Sequence, residues 1–346
     1  MRKLFFTAAV LAAAFFASAD CASKSDGGGA VPQPAPPADT AAYYHNPVVD
    51  RSLPDPSVIK APDGYFYVYA TEDIARTPIF RSKDLVHWVQ MGACFTEETR
   101  PSWEPDGGIW APDINYIKGQ YVLYYAMSKW GGELTCGVGA ATADSPVGPF
   151  TDHGPLFRSS TIGVQNSIDP FYMEDGGKKY LIWGSFHGIY CIQLSDDGLS
   201  VKVGAQKRQL IGNLTEGSYV CKHDGYYYLF GSMGSCCEGA QSTYQVVVGR
   251  SKSLFGPYVD AKGQAMMDGH YELVMRGNAS FAGPGHNAEF MQDDAGQDWM
   301  LYHAYLRAHP EKGRVLMLDR IEWVNGWPQV AGRVPSTTAA VPVFHH

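Results

Sequence analysis

The chain has 346 residues, with 35 acidic against 27 basic side chains, a formal net charge of −8, 45% hydrophobic content and 21 Tyr and 8 Trp beside 38 Gly. An acidic balance without a Lys/Arg run excludes a nucleic-acid binder, which needs a basic face for phosphates. The hydrophobic content excludes a disordered chain, and past the N-terminus no apolar run reaches the roughly 18 residues a membrane-spanning helix needs.

At the N-terminus, Arg2 and Lys3 precede an apolar run over residues 4–16, and Ala17-Ser18-Ala19 offers a small-x-small cleavage site. This pattern reads as a secretory signal peptide over residues 1–19 and implies export to a periplasmic, cell-surface or extracellular location. Cys21 supports a lipoprotein variant of that reading, with processing after residue 20 and a lipid anchor as the only membrane contact; Asp20 just before it counts against this. Residues 20–42, rich in Gly, Pro and Ala, read as a semi-extended tether. Of the six later cysteines, Cys136, Cys191 and Cys221 fall in apolar strand-like runs and read as buried thiols. The adjacent pair Cys236-Cys237 fits no such pattern.

From residue 43 onward one element recurs five times: a glycine turn, then a Tyr/Trp-rich strand ending in a small residue. The copies are Tyr65 to Ala70, Tyr121 to Ala126, Tyr180 to Ser185, Tyr226 to Gly231 and Trp299 to Ala304. Before the turns lie short strands over residues 57–60, 114–117, 171–174, 218–223 and 288–292, and a further strand follows each aromatic one. Short strands, glycine hairpins and no long 3.6-residue period predict an all-β fold over 43–346, a five-bladed β-propeller of about 60 residues per blade. A β-sandwich or a pair of barrels is the alternative without the repeat.

In a propeller the innermost strands start around one mouth of a central channel. The residues at those starts are Asp55, Asp113, Asp169, Glu216 and Asn287, four of them acidic. Carboxylates crowded at one mouth repel each other, an arrangement that calls for a metal or a reaction. Glycosidic cleavage uses such a set: a protonated carboxyl for the leaving oxygen and a carboxylate to activate water or attack. A third acid keeps the donor's pKa high. Trp110, Phe171, Trp183 and Phe186 are candidate stacking faces for sugar rings, with core packing as the competing role.

The ordered motifs Leu53-Pro54-Asp55-Pro56-Ser57-Val58, Trp110-Ala111-Pro112-Asp113, Ser167-Ile168-Asp169-Pro170, Glu216-Gly217-Ser218-Tyr219 and Gly283-Pro284-Gly285-His286-Asn287 resemble glycoside hydrolase family 43. The last of these, with Tyr302-His303-Ala304-Tyr305, is most similar to its endo-α-1,5-L-arabinanase branch. The resemblance implies an inverting hydrolase with Asp55 as general base, Glu216 as general acid and Asp169 as the carboxylate that orients the acid and modulates its pKa. It assigns no proton-transfer role to Asp113. It implies that His286 helps hold a cation in the central channel, a calcium ion bound mainly through waters. Asn166 and Ser167 are expected polar contacts to the sugar. The segment Gly184-Ser185-Phe186-His187-Gly188-Ile189 borders the expected cleft but is shorter than the family pattern and carries His187, which puts subsite shape, and with it endo or exo action, in question. The implied partner is plant cell-wall arabinan or an arabino-oligosaccharide, met by a monomer; an exo-acting α-L-arabinofuranosidase, a β-xylosidase or a noncatalytic sugar-binding propeller are the alternatives.

Overall fold

The computed structural model describes residues 42–73 and 76–345. The signal-peptide reading, Cys21 and all but the last residue of the tether lie outside the described residues. Four four-stranded antiparallel sheets and one six-stranded sheet make the five blades. Blade 1 runs Ser57–Lys60, Phe66–Tyr69, Pro78–Ser82, Val89–Ala93, and blade 2 runs Gly108–Ile117, Gln120–Ser128, Gly137–Ala143, Thr151–Arg158. Blade 3 is Phe171–Asp175, Lys178–Trp183, Ile189–Gln193, Arg208–Ile211, and blade 4 is Glu216–His223, Tyr226–Met233, Gln245–Ser251, Glu272–Arg276. Blade 5 takes Phe281–Gly285, Asp298–Leu306 and Arg314–Val324 from the end of the chain and its outer strand, Val49–Ser52, from the beginning. The ring is thus closed by backbone hydrogen bonds between segments far apart in sequence. No helix among the described residues is long and apolar enough to cross a membrane.

Each aromatic repeat is the second strand of its blade. Lys118-Gly119, Gly176-Gly177 and Asp224-Gly225 carry positive φ at both positions, as a two-residue hairpin of matching twist requires. The aromatic strands then bury their side chains between neighbouring blades: Tyr69, Tyr124, Tyr125, Trp183, Tyr228, Phe230 and Tyr302 are fully buried. Cys136 and Cys191 are buried free thiols and Cys221 is a partly buried one.

The inner strands do not all begin where the sequence places them. Each blade has one residue in the left-handed region at the channel mouth: Asp55 (φ 53°), Ala111 (φ 41°), Asp169 (φ 56°), Gly217 (φ 58°) and His286 (φ 47°). Asp113 is therefore two residues past the position equivalent to Asp55 and lies within its strand, further along the channel. In blade 5 the inner strand is Phe281–Gly285; of the expected 288–292 only Met291–Gln292 forms a strand, while the Ala288 amide donates to the Leu301 carbonyl at 2.8 Å. Left-handed backbone is costly for a side chain with a Cβ, and its recurrence at one level marks the place where the fold aims side chains into the mouth.

Candidate active site

A cavity of about 690 Å³ opens at that mouth and is lined by Asp55, Asp169 and Glu216, from blades 1, 3 and 4. Trp110, Asn166, Ser185, Phe186 and His286 line it too. Ser167, Phe171 and His187 do not. Ser167 is fully buried behind the wall, its hydroxyl donating to the Val164 carbonyl at 2.8 Å and accepting from the Trp183 indole at 3.0 Å. Phe171 packs edge-on against Tyr219 in the core, because a residue two past the left-handed Asp169 already belongs to the strand. Trp183 is likewise core. His187 turns to Glu133, 3.4 Å away, and Glu133 rather than His187 reaches the cavity.

Asp55 is nine-tenths buried and heavily partnered. Its Oδ2 accepts from Thr71 Oγ1 at 2.5 Å and its Oδ1 accepts from Arg314 Nη1 at 3.0 Å. His286 Nδ1 and His303 Nδ1 stand 3.4 and 3.3 Å from Oδ1. Burial alone would raise its pKa, but the Arg314 guanidinium, the strongest of its partners, holds the carboxyl well below the usual range. Asp55 is an anion. The Asp55 amide donates to His303 Nδ1 at 3.1 Å, and burial pushes the His303 pKa down to about 4, so this ring is neutral.

Glu216 is the opposite case. Burial raises its pKa, reinforced by the negative charge of Asp55 and opposed by hydrogen bonds from Ser185 Oγ (2.5 Å to Oε2) and Tyr244 OH (2.8 Å to Oε1). Asn166 Nδ2 in turn donates to Ser185 Oγ at 2.9 Å, which fixes that hydroxyl toward the acid. Asp169, inside the same cluster, is raised well above the carboxylate range by burial and then by the charges of Glu216 and Asp55; its Oδ2 accepts from the Gly217 amide at 3.1 Å. The two acids titrate as a pair, and the pair holds a proton where Asp55 does not. Gly217 is required twice over: its φ is left-handed, and a Cβ there would meet the His286 ring at 3.0 Å.

Asp113 sits outside the cavity. It accepts from the Tyr172 amide (2.8 Å) and from Asn115 Nδ2 (2.7 Å), and its pKa is raised by burial and then by Glu289. Glu289, raised by burial as well, accepts from Ser57 Oγ at 3.0 Å and from the Val58 amide at 2.9 Å. Asp113 and Glu289 form a proton-holding pair further along the channel. For a cation, the donor set among the described residues is sparse: no three His, Cys, Asp or Glu side chains converge as a ready cage. One imidazole, His286, faces the cavity. That set fits only an ion whose remaining positions are filled by water.

Residues that sequence reasoning missed supply much of the electrostatics: Arg314, Thr71, Tyr244, Glu289 and, on the walls, Trp130, Lys129 and residues 234, 235 and 238. Tyr302-His303-Ala304-Tyr305 was conspicuous as a motif; nothing in the sequence around Arg314 or Tyr244 announces a partner for an acid 259 or 28 residues away.

Residues 44–328 match the family model for glycosyl hydrolases family 43. The chain is 34% identical over 281 residues to an extracellular exo-α-(1→5)-L-arabinofuranosidase of Cellvibrio japonicus, covering 73% of this chain and 79% of that protein. It is 32% identical over 292 residues to an extracellular endo-α-(1→5)-L-arabinanase of Bacillus subtilis, covering 80% and 87%. Among solved structures, a Cellvibrio cellulosa α-L-arabinanase complexed with arabinohexaose superposes with a TM-score of 0.74 at 30% identity, over 81% of this chain and 96% of that one. A family 43 endo-arabinanase from Bacillus licheniformis gives 0.72 at 31% identity, over 81% and 98%. With three acids from separate blades in one cavity and a family model that covers most of its length, the chain belongs to glycosyl hydrolases family 43 and is a glycoside hydrolase.

Proposed function

We propose that this protein is an exported hydrolase of α-1,5-linked L-arabinan, working as a monomer and cutting within the chain with inversion at the anomeric carbon. The observation that carries the mechanism is the split protonation of one cavity: an anionic Asp55 held by Arg314, and a proton held by the Glu216–Asp169 pair. Glu216 gives its proton to the glycosidic oxygen as the bond to the anomeric carbon breaks. Asp55 takes a proton from a water that attacks the opposite face of the same carbon, leaving Asp55 protonated and Glu216 ionised until solvent resets both. Asp169 keeps the proton on the pair and, through the Gly217 amide, fixes the backbone that carries Glu216. A calcium ion would be held by His286 and waters, and would supply positive charge that offsets crowding of the acids.

The substrate is supported by the activities of the relatives at 32–34% identity and by the arabinohexaose-bound neighbour. Export is supported by the two extracellular relatives and by the disulfide between Cys236 and Cys237, a bond that persists in oxidising compartments. A second reading, exo action, has a specific support: the Cellvibrio relative at 34% identity is an exo-acting enzyme. Incubation with debranched arabinan separates them: a ladder of oligosaccharides early in the reaction means endo action, a single short product from the first minutes means exo action, and no release of sugar overturns the assignment.

A further inference from the structure

Cys236 and Cys237 are joined to each other, and both line the cavity that holds the three acids. A cross-link stabilises a fold by closing a loop of the unfolded chain, and the gain grows with loop length. Between residues one apart in sequence there is no loop to close. The segment also has its own ties: the Ser235 amide donates to Thr243 Oγ1 at 3.0 Å, the Thr243 amide to the Ser235 carbonyl at 3.1 Å, and the Glu238 amide to Ser242 Oγ at 2.9 Å. Stapling is therefore a poor account of this bond. What the bond does change is surface chemistry. It replaces two thiols, which donate and titrate, with a compact polarisable group that has no hydrogen to donate, set among the polar residues Ser235 and Glu238.

Its position gives that surface a use. The loop leaves the strand Tyr226–Met233, in which Ser232 stands directly across from Glu216. It thus rises beside the group that protonates the leaving oxygen, whereas Asp55 and its partner Arg314 come from blades 1 and 5. Across the mouth, blade 2 contributes Trp110 and the 80% exposed Trp130, whose ring centroids lie 5.7 Å apart. A furanose ring presents C–H groups that pack on apolar, polarisable surface while its hydroxyls reach polar neighbours. We propose that the Cys236–Cys237 disulfide is a sugar-stacking subsite for an L-arabinofuranose ring on the leaving-group side of the scissile bond. This rests on the arabinan reading above.

The test measures the affinity of the Glu216→Gln protein for α-1,5-L-arabinohexaose by titration calorimetry in three forms: oxidised, treated with a water-soluble phosphine, and carrying Cys236→Ser with Cys237→Ser. The phosphine takes the oxygen of one water to become its oxide while two thiols form from the disulfide. The expected result is binding weaker by about tenfold in both altered forms, the loss of most of one apolar ring contact. Reoxidation of the phosphine-treated sample restores the affinity, which ties the loss to the disulfide without relying on the folding of the serine variant. Unchanged affinity, with or without a fall in melting temperature, overturns the subsite and leaves the arabinan reading in place. An oxidised protein that binds no arabinohexaose, while the parent releases nothing from linear arabinan, sinks both.

Discussion

Replacing Tyr244 by Phe removes one hydroxyl and little else. That hydroxyl donates to Glu216 Oε1 at 2.8 Å, and its ring stacks on His303 at 5.7 Å with planes 7° apart, a contact that Phe retains. A hydrogen bond to a charged group contributes about 1.5–3 kcal/mol, and the bond favours ionised Glu216 over neutral Glu216 by part of that amount. At about 1.4 kcal/mol per pKa unit, its loss raises the apparent pKa of the Glu216–Asp169 pair by roughly one unit. The alkaline limb of kcat/KM reports the loss of the donor's proton in the free enzyme, so this limb moves to higher pH by about one unit while the acid limb, set by Asp55, stays. The assay is a pH profile of kcat/KM on linear arabinan for the parent and Tyr244→Phe. An unmoved alkaline limb would remove Tyr244 from the acid's control. A downward shift would mean that the carboxyl donates to the phenol oxygen, reversing the bond.

Glu216→Gln keeps the hydrogen bonds of Ser185 and Tyr244 but has no proton to give; turnover of linear arabinan falls by on the order of 10²- to 10⁴-fold while arabinohexaose still binds, and near-parent turnover would dismiss Glu216 as the acid. The pKa values of Asp113 and Glu289 are raised in the fold, so their contribution to stability is complete below the ordinary carboxylate range and is lost as pH rises through the raised values. Each proton that the fold holds and the unfolded chain has released costs about 1.4 kcal/mol of stability per pH unit, and Asp113→Asn, with one acid fewer to hold, shows a flatter fall of melting temperature than the parent as pH rises above the ordinary carboxylate range. A steeper fall in the variant would contradict the shared proton. Dialysis against a chelator lowers the melting temperature if an ion sits at His286, and calcium restores it; identical melting before and after, with no calcium found in the protein by atomic emission, removes the ion.

The repeat made the fold legible, because a blade's second strand must be apolar on both faces to pack between neighbouring blades, and that requirement writes Tyr-Val-Leu-Tyr-Tyr or Tyr-Tyr-Tyr-Leu-Phe into the chain. The three acids were legible because each sits at or beside the kink where an inner strand meets the mouth, Asp55 and Asp169 on it and Glu216 just before Gly217. The same rule placed Asp113 with them and was off by two residues: blade 2 puts Ala111 in the left-handed position, and no local feature distinguishes Ala111-Pro112 from Asp55-Pro56 in that respect. Ser167 and Phe171 adjoin Asp169 in sequence, yet the backbone turn at Asp169 sends its neighbours into the core. Arg314 was illegible for a different reason. It reaches Asp55 from the neighbouring blade, across the ring closure, and a cation that meets its carboxylate only through ring closure leaves no mark at either place in the chain.

The measurement that bears most directly on the mechanism is the anomeric configuration of the first-formed product, followed by proton NMR during cleavage of an α-1,5-L-arabino-oligosaccharide. Direct attack by a water that Asp55 activates delivers the β-anomer before mutarotation mixes the two. Initial appearance of the α-anomer would mean a covalent sugar–enzyme intermediate, and the roles given to Asp55 and Glu216 would not survive it.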